Sequence, residues 1–189
     1  MIAYFLKEFF DPYFNLNLKV WENFGALGEI KEYPKDTILK EANKTEKHLN
    51  IIISGCGGNL IWNKNNFICI DLAFEKQFLN DYMSFAQQRP TPIEVKLFED
   101  TKIFRISNTK FQQVFNEGNY GNIITKIISE TSFFHKQQQQ IDLLTKTAKE
   151  RYIELLKTQN KIEKIPLKYL ASYLGVTPQS LSRLRSQKI

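Results

Sequence analysis

The chain has 189 residues, 42% of them hydrophobic and 24% charged, and a formal net charge of +6. That length suits one large domain or two small ones, and no apolar run approaches the ~18 residues a membrane-spanning helix needs. The charge is uneven. Residues 1–148 balance 17 Lys and Arg against 17 acidic side chains, whereas residues 149–189 carry nine basic groups against three acidic ones, so the whole excess lies at the C-terminal end. A basic segment of this kind is the electrostatic footprint of a nucleic-acid-binding module.

Met1–Phe10 lacks a secretory leader pattern, because Lys7 and Glu8 interrupt its apolar residues and no cleavage site follows. The expected location is cytoplasmic. Residues 1–28 read as helical with breaks at Asp11-Pro12 and at Gly25 and Gly28. From Glu29 the pattern becomes strand-like: 30–33, 37–39, 49–53, 60–62, 67–72, 95–98 and 102–106, each bounded by polar turn residues. Many short strands with close turns predict a β-barrel or sandwich. Cys56 and Cys69 fall in these stretches, match no metal spacing and read as reduced core thiols. A helix is predicted over 78–88, between two strands, ending at Arg89-Pro90.

After Ser107 the chain reads as helical. A short helix over 108–115 precedes a break at Gly118–Gly121, and a long helix then runs from about 122 to 147. Along it Ile124, Ile127, Phe134 and Ile141 lie on a 3-4 stripe. Such a stripe either pairs two copies of the chain in a coiled coil or packs on the chain's own barrel; its length favours the homodimer. Gln137–Gln140 reads as a polar part of the helix. A further helix is predicted over 149–158.

Residues 165–185 carry the most specific pattern. Leu167–Leu174 is amphipathic, Gly175 suits a tight turn, and Thr177 with Pro178 forms the start of a second helix. Leu181 and Leu184 would pack back on the first helix, leaving Gln179, Ser180, Ser182, Arg183 and Arg185 outside, with Lys168 on the preceding helix. These side chains hydrogen-bond base edges and phosphates, so the pair reads as a helix-turn-helix with double-stranded DNA as partner.

The order of parts resembles the Crp/Fnr family of bacterial transcription regulators over nearly the whole chain. The matches are Tyr33–Leu39, Leu49–Gly55, Lys102–Ser107 and, most strongly, Val176–Arg183. From Lys149 onward the sequence is similar to a branch of that family common in Bacteroidetes. The resemblance implies an α+β fold. Residues 1–118 would form a β-barrel or jelly roll of the cyclic-nucleotide-binding type, 119–147 the dimerisation helix, and 148–189 the helix-turn-helix domain with a reduced wing. It implies Gln179 and Arg183 as base readers, Thr177 and Ser180 near phosphates, a palindromic operator and contact with RNA polymerase.

Family members that bind cyclic AMP carry a Gly-Glu pair opening the inserted helix and an Arg-Ser or Arg-Thr pair after it. Here Asn80-Asp81 and Thr91-Pro92 stand at those places, and Pro92 removes an N–H that would hold phosphate. Asp81, Tyr82, Phe85, Arg89 and Thr91 therefore mark a degenerate pocket, suited to a different small-molecule effector or to none. Two cysteines are too few for an iron–sulfur cluster, and neither His48 nor His135 sits in an evident haem pocket; no cofactor is expected. An enzyme is disfavoured, because there is no nucleophile–base pair and Gly55-Cys56-Gly57-Gly58 lies between strands. The rival reading is a ligand-sensing module whose helical tail docks on another protein.

Overall fold

The computed structural model describes residues 1–116, 119–159 and 162–186. Helices α1 (Ile2–Phe10) and α2 (Leu18–Leu27) precede strands β1 (Glu29–Tyr33), β2 (Ile38–Lys40), β3 (His48–Ser54), β4 (Gly57–Asn63) and β5 (Asn66–Ala73). Helix α3 (Tyr82–Gln87) separates these from β6 (Ile93–Leu97) and β7 (Thr101–Ser107). Helices α4 (Asn108–Asn116), α5 (Asn119–Thr145), α6 (Ala148–Thr158), α7 (Leu167–Leu174) and α8 (Pro178–Ser186) follow, with a 3-10 turn over Ile162–Lys164.

The strands form two antiparallel sheets, β1-β7-β3 and β2-β6-β4-β5. Alternation explains their faces. In β6 and β7 the residues Val95, Leu97 and Ile103 point inward between the sheets, where Ile52 joins them from β3, while Phe104 and Ile106 are buried on the opposite face of β7. Gly55 turns the chain between β3 and β4 with φ +107°, and a Cβ there would collide with Thr101, so neither backbone nor space admits a side chain. The N-terminal helices close one end through Leu6, Phe10, Trp21 and Phe24, which share a cluster with Ile51, Phe104 and Ile124. Phe10 stacks on Trp21 at 4.7 Å between ring centroids. Each such side chain contributes about 1.5–3 kcal/mol by leaving water.

The inserted helix is shorter than its sequence suggests. Phe78 forms a bridge with Ile51, and α3 starts only at Tyr82. Strand β3 ends its sheet, and its free backbone groups recruit the segment before α3: Lys76 N donates to Ile52 O at 2.9 Å, and Leu79 N to Asn50 O at 3.0 Å. Edge pairing overrides helical periodicity there. The long helix also shifts, beginning at Asn119 with Gly121 inside it and ending at Thr145. Thr147 stops it by opening α6 with a capping box in which Thr147 and Glu150 bond each other's backbone N–H. The break expected from Gly118 and the reduced wing expected after Arg185 touch residues 117–118 and 187–189, outside the described ones.

Candidate nucleic-acid interface and effector cavity

The C-terminal helix pair follows its local code. Gly175 caps α7 in the left-handed region at φ 70°, its N–H directed to the carbonyls of Ala171 and Ser172. Val176 N reaches Ala171 O at 3.0 Å, and Arg151 donates to Leu174 O at 2.8 Å, so these carbonyls at the end of α7 have partners. Thr177 Oγ1 accepts from Ser180 N at 3.1 Å, and Pro178 begins α8 where no donor is needed. Leu181 is fully buried with Leu170 and Leu174. Thr177, Gln179, Ser180, Ser182, Arg183 and Arg185 are all exposed.

Within that set the chemistry differs. The Thr177 and Ser180 hydroxyls lie 3.0 Å apart and serve the helix cap, whereas Gln179, Ser182, Arg183 and Arg185 project from the rest of α8. Lys168 stands on α7 with its ammonium 4.8 Å from the Tyr169 ring centroid.

The residues expected around an effector are not gathered into one open pocket. Asp81 is buried and caps α3, Oδ1 accepting from Ser84 N at 3.1 Å. Its Oδ2 pairs with Lys40 Nζ at 2.9 Å and also accepts from the Thr91 hydroxyl. Lys40 Nζ donates further to Thr91 Oγ1 at 2.9 Å and Ile93 O at 2.6 Å. Lys40 is the one fully buried cation among the described residues; the chain's own carboxylate already neutralises it. Phe85 is core, against Phe111 at 5.6 Å. Arg89 is exposed, with its carbonyl accepting from Ser84. The five residues thus divide into a buried ion-pair network, a core ring, a surface arginine and Tyr82, which meets the long helix.

Sequence reasoning missed Lys40. Its only signal is a lysine closing a short apolar run; the partners lie far along the chain. Beside the network, burial pushes the Glu46 carboxyl up to about 7. Glu46 accepts from His48 N at 3.0 Å through Oε1.

A cavity of about 630 Å³ opens between the sheet and α5, bordered by Asn59, Asn80, Asp81, Tyr82, Ser129 and His135. Tyr82 and Ser129 share a 2.6 Å hydrogen bond that ties α3 to α5. Farther along, Asp71 of β5 meets His135 at 3.1 Å and Lys136 at 2.7 Å. Burial opposes the Asp71 charge, but the His135 hydrogen bond and the Lys136 ammonium hold its carboxyl below the usual range.

The stripe on α5 is split. Ile124 and Ile127 are buried in the chain's own core, which corrects their assignment to a continuous intermolecular seam: α5 packs on α4 there, and both residues share one cluster with side chains of α1, α2, α4 and the sheets. Phe134 and Ile141 remain 64% and 44% exposed, beside Phe133, Leu143 and Leu144. No cluster of metal-ligating side chains and no helix long and apolar enough to cross a membrane occurs among the described residues.

No protein-family model and no curated protein matches the chain in sequence. Solved structures do match in shape. FixK2 from Bradyrhizobium japonicum is 14% identical with a TM-score of 0.70, over 85% of this chain and 83% of that one. A Crp/Fnr-family protein from Eubacterium rectale gives 16% identity and a TM-score of 0.68, over 94% of this chain and 85% of that one. CLP, the c-di-GMP-responsive global regulator of Xanthomonas campestris, gives 15% and 0.66, over 89% of each chain. The chain therefore has the fold of the Crp/Fnr regulators, with their cyclic-nucleotide-binding-type sheet domain followed by a long helix.

Proposed function

We propose that this chain is a cytoplasmic, sequence-specific DNA-binding transcription regulator of the Crp/Fnr type, not an enzyme. Residues 148–189 are its helix-turn-helix domain, 119–147 its dimerisation helix and 1–118 its sensor domain. The observation that carries the reading is α8: a capped helix with Gln179, Ser182, Arg183 and Arg185 exposed, in the segment that holds all the excess positive charge. Gln179 and Arg183 read base edges, and the other polar groups contact the backbone. RNA polymerase is a further partner of a regulator of this kind.

The exposed half of the α5 stripe supports a homodimer. Five large apolar side chains between Phe133 and Leu144 face solvent in the single chain, and a second copy would cover them. Two recognition helices would then enter successive major grooves about 34 Å apart, on an imperfect palindrome. The Lys40–Asp81 pair supports an effector site that has lost its anion grip. A small effector other than a cyclic nucleotide, or none, is the reading this favours.

The test is selection of bound duplexes from a random pool by the full chain, with the mass of the protein measured in parallel. The expected result is a dimer that enriches one two-fold-related sequence. A pool with no enriched sequence contradicts the reading and favours a helical tail that docks on a protein.

A further inference from the structure

Strand β5 ends its sheet, so one row of its backbone groups has no neighbouring strand. Helix side chains occupy that row. Ser172 of α7 accepts from Cys69 N at 2.9 Å, and its hydroxyl donates to Phe67 O at 3.4 Å. Gln139 of α5 donates to Ile70 O at 2.9 Å. The free edge is therefore capped in register by two helices of the same chain.

An apolar contact surrounds these bonds. Tyr169 stacks on Phe98 with ring centroids 4.3 Å apart and planes 13° apart, and meets Phe67 at 4.9 Å. Leu170, Leu174 and Leu181 are buried in the same cluster as Leu60 and Leu72 of the sheet and Phe98 of the turn after β6. Lys164 and Glu99 close the margin with a 2.7 Å ion pair. A segment of about 40 residues buries little core by itself, and here it shares that of the barrel. The docking leaves the outer face of α8 exposed, so it is compatible with DNA.

We propose that the β5 edge is a docking platform that positions the recognition helix, with Tyr169 and Ser172 as its positioning residues. The seating of α7 on β5, and not the α5–α6 junction alone, fixes the separation of the two α8 helices in the dimer. This rests on the DNA-binding reading above. Neither residue touches DNA; both act through the placement of α8.

The test measures tolerance to half-site spacing. Duplexes carrying the selected half-sites are separated by one base pair more or fewer, each step moving a half-site by about 3.4 Å and rotating it. Wild-type protein is expected to prefer one spacing by roughly tenfold or more, the scale of one lost base-pair contact. Tyr169→Ala should flatten that preference while keeping the half-site sequence preference, because the α8 side chains are untouched. Tyr169→Phe, which keeps the stacked ring, should restore it. Ser172→Ala should flatten it in part, and it decides the matter if Tyr169→Ala fails to fold as a dimer. Folded variants that keep the wild-type spacing preference overturn the docking proposal alone. A wild-type protein that selects no duplex overturns the DNA-binding reading and this proposal with it.

Discussion

Around Asp81 the chain has turned its polar groups toward each other; along α8 it has turned them toward solvent. Lys40, Asp81 and Thr91 form a closed set, each accepting or donating within a buried site between β2, the start of α3 and the start of β6. Gln179, Ser182, Arg183 and Arg185 stand on the outside of a helix whose only buried residue is Leu181. The cost of a buried charge is large unless it is paired, so a pocket that keeps a lysine without a bound anion must supply a carboxylate of its own. An exposed row of amide, hydroxyl and guanidinium groups carries no such penalty and waits for a partner. Substitution should therefore separate the two regions by readout: stability for the first, DNA affinity for the second.

Lys40→Met gives the largest effect. It leaves the Asp81 carboxylate buried without its cation and should cost about 3–5 kcal/mol of folding stability in denaturant melts. Adding Asp81→Asn, which keeps the α3 cap and removes the charge, should recover most of that loss. A cost for Lys40→Met below about 1 kcal/mol, the range of an exposed pair, would break the contrast. Gln179→Ala is the counterpart on α8. It should weaken specific binding by roughly 1–3 kcal/mol and relax the sequence preference at one position, with an unchanged melting temperature. A drop in melting temperature would mean that Gln179 belongs to the core of the helix pair.

The smallest effect concerns pH. The folded Glu46 carboxyl sits at about 7, above its ordinary value of 4.5, chiefly because it is buried. Its protonated form is therefore favoured by folding. The stability it contributes is full below about pH 4.5 and is lost as pH rises to about 7. His48 has the opposite sign: burial, then the Arg105 charge, lower it to about 4 from 6.5, so its contribution is present above pH 6.5 and is lost as pH falls toward 4. The two overlap and oppose each other in the wild-type curve. Glu46→Gln removes one of them, and the stability difference between variant and wild type should grow from pH 4.5 to 7 and then level. A difference independent of pH would show that Glu46 ionises freely.

What was legible in the sequence was local. Gly175, Thr177 and Pro178 specify a turn and a cap within four positions, and the structure has both. Turn residues likewise mark the seven strands, because hairpin chemistry needs no distant partner. What was illegible depended on distant contacts. Lys40 and Asp81 lie 41 positions apart, and nothing near either announces the other. Phe78 has helical spacing with Tyr82 and Phe85, but the unpaired edge of β3 claims its segment as a strand-like strap. Ile124, Ile127, Phe134 and Ile141 share one periodicity, and periodicity cannot say what covers a stripe; the chain's own core takes in the first two and the others face solvent. Gln139 reads as one glutamine among four, yet it reaches the β5 carbonyl.

The most direct measurement is a fluorescence-anisotropy titration of a selected duplex and a random duplex, at two salt concentrations, with wild-type protein and Arg183→Ala. If α8 reads DNA, wild type binds the selected duplex more tightly, affinity falls steeply with salt as phosphate contacts release counterions, and Arg183→Ala loses roughly 1–3 kcal/mol together with much of the preference. Equal affinity of wild type and Arg183→Ala for the selected duplex, with the preference intact, would contradict the assignment of α8 as the recognition helix.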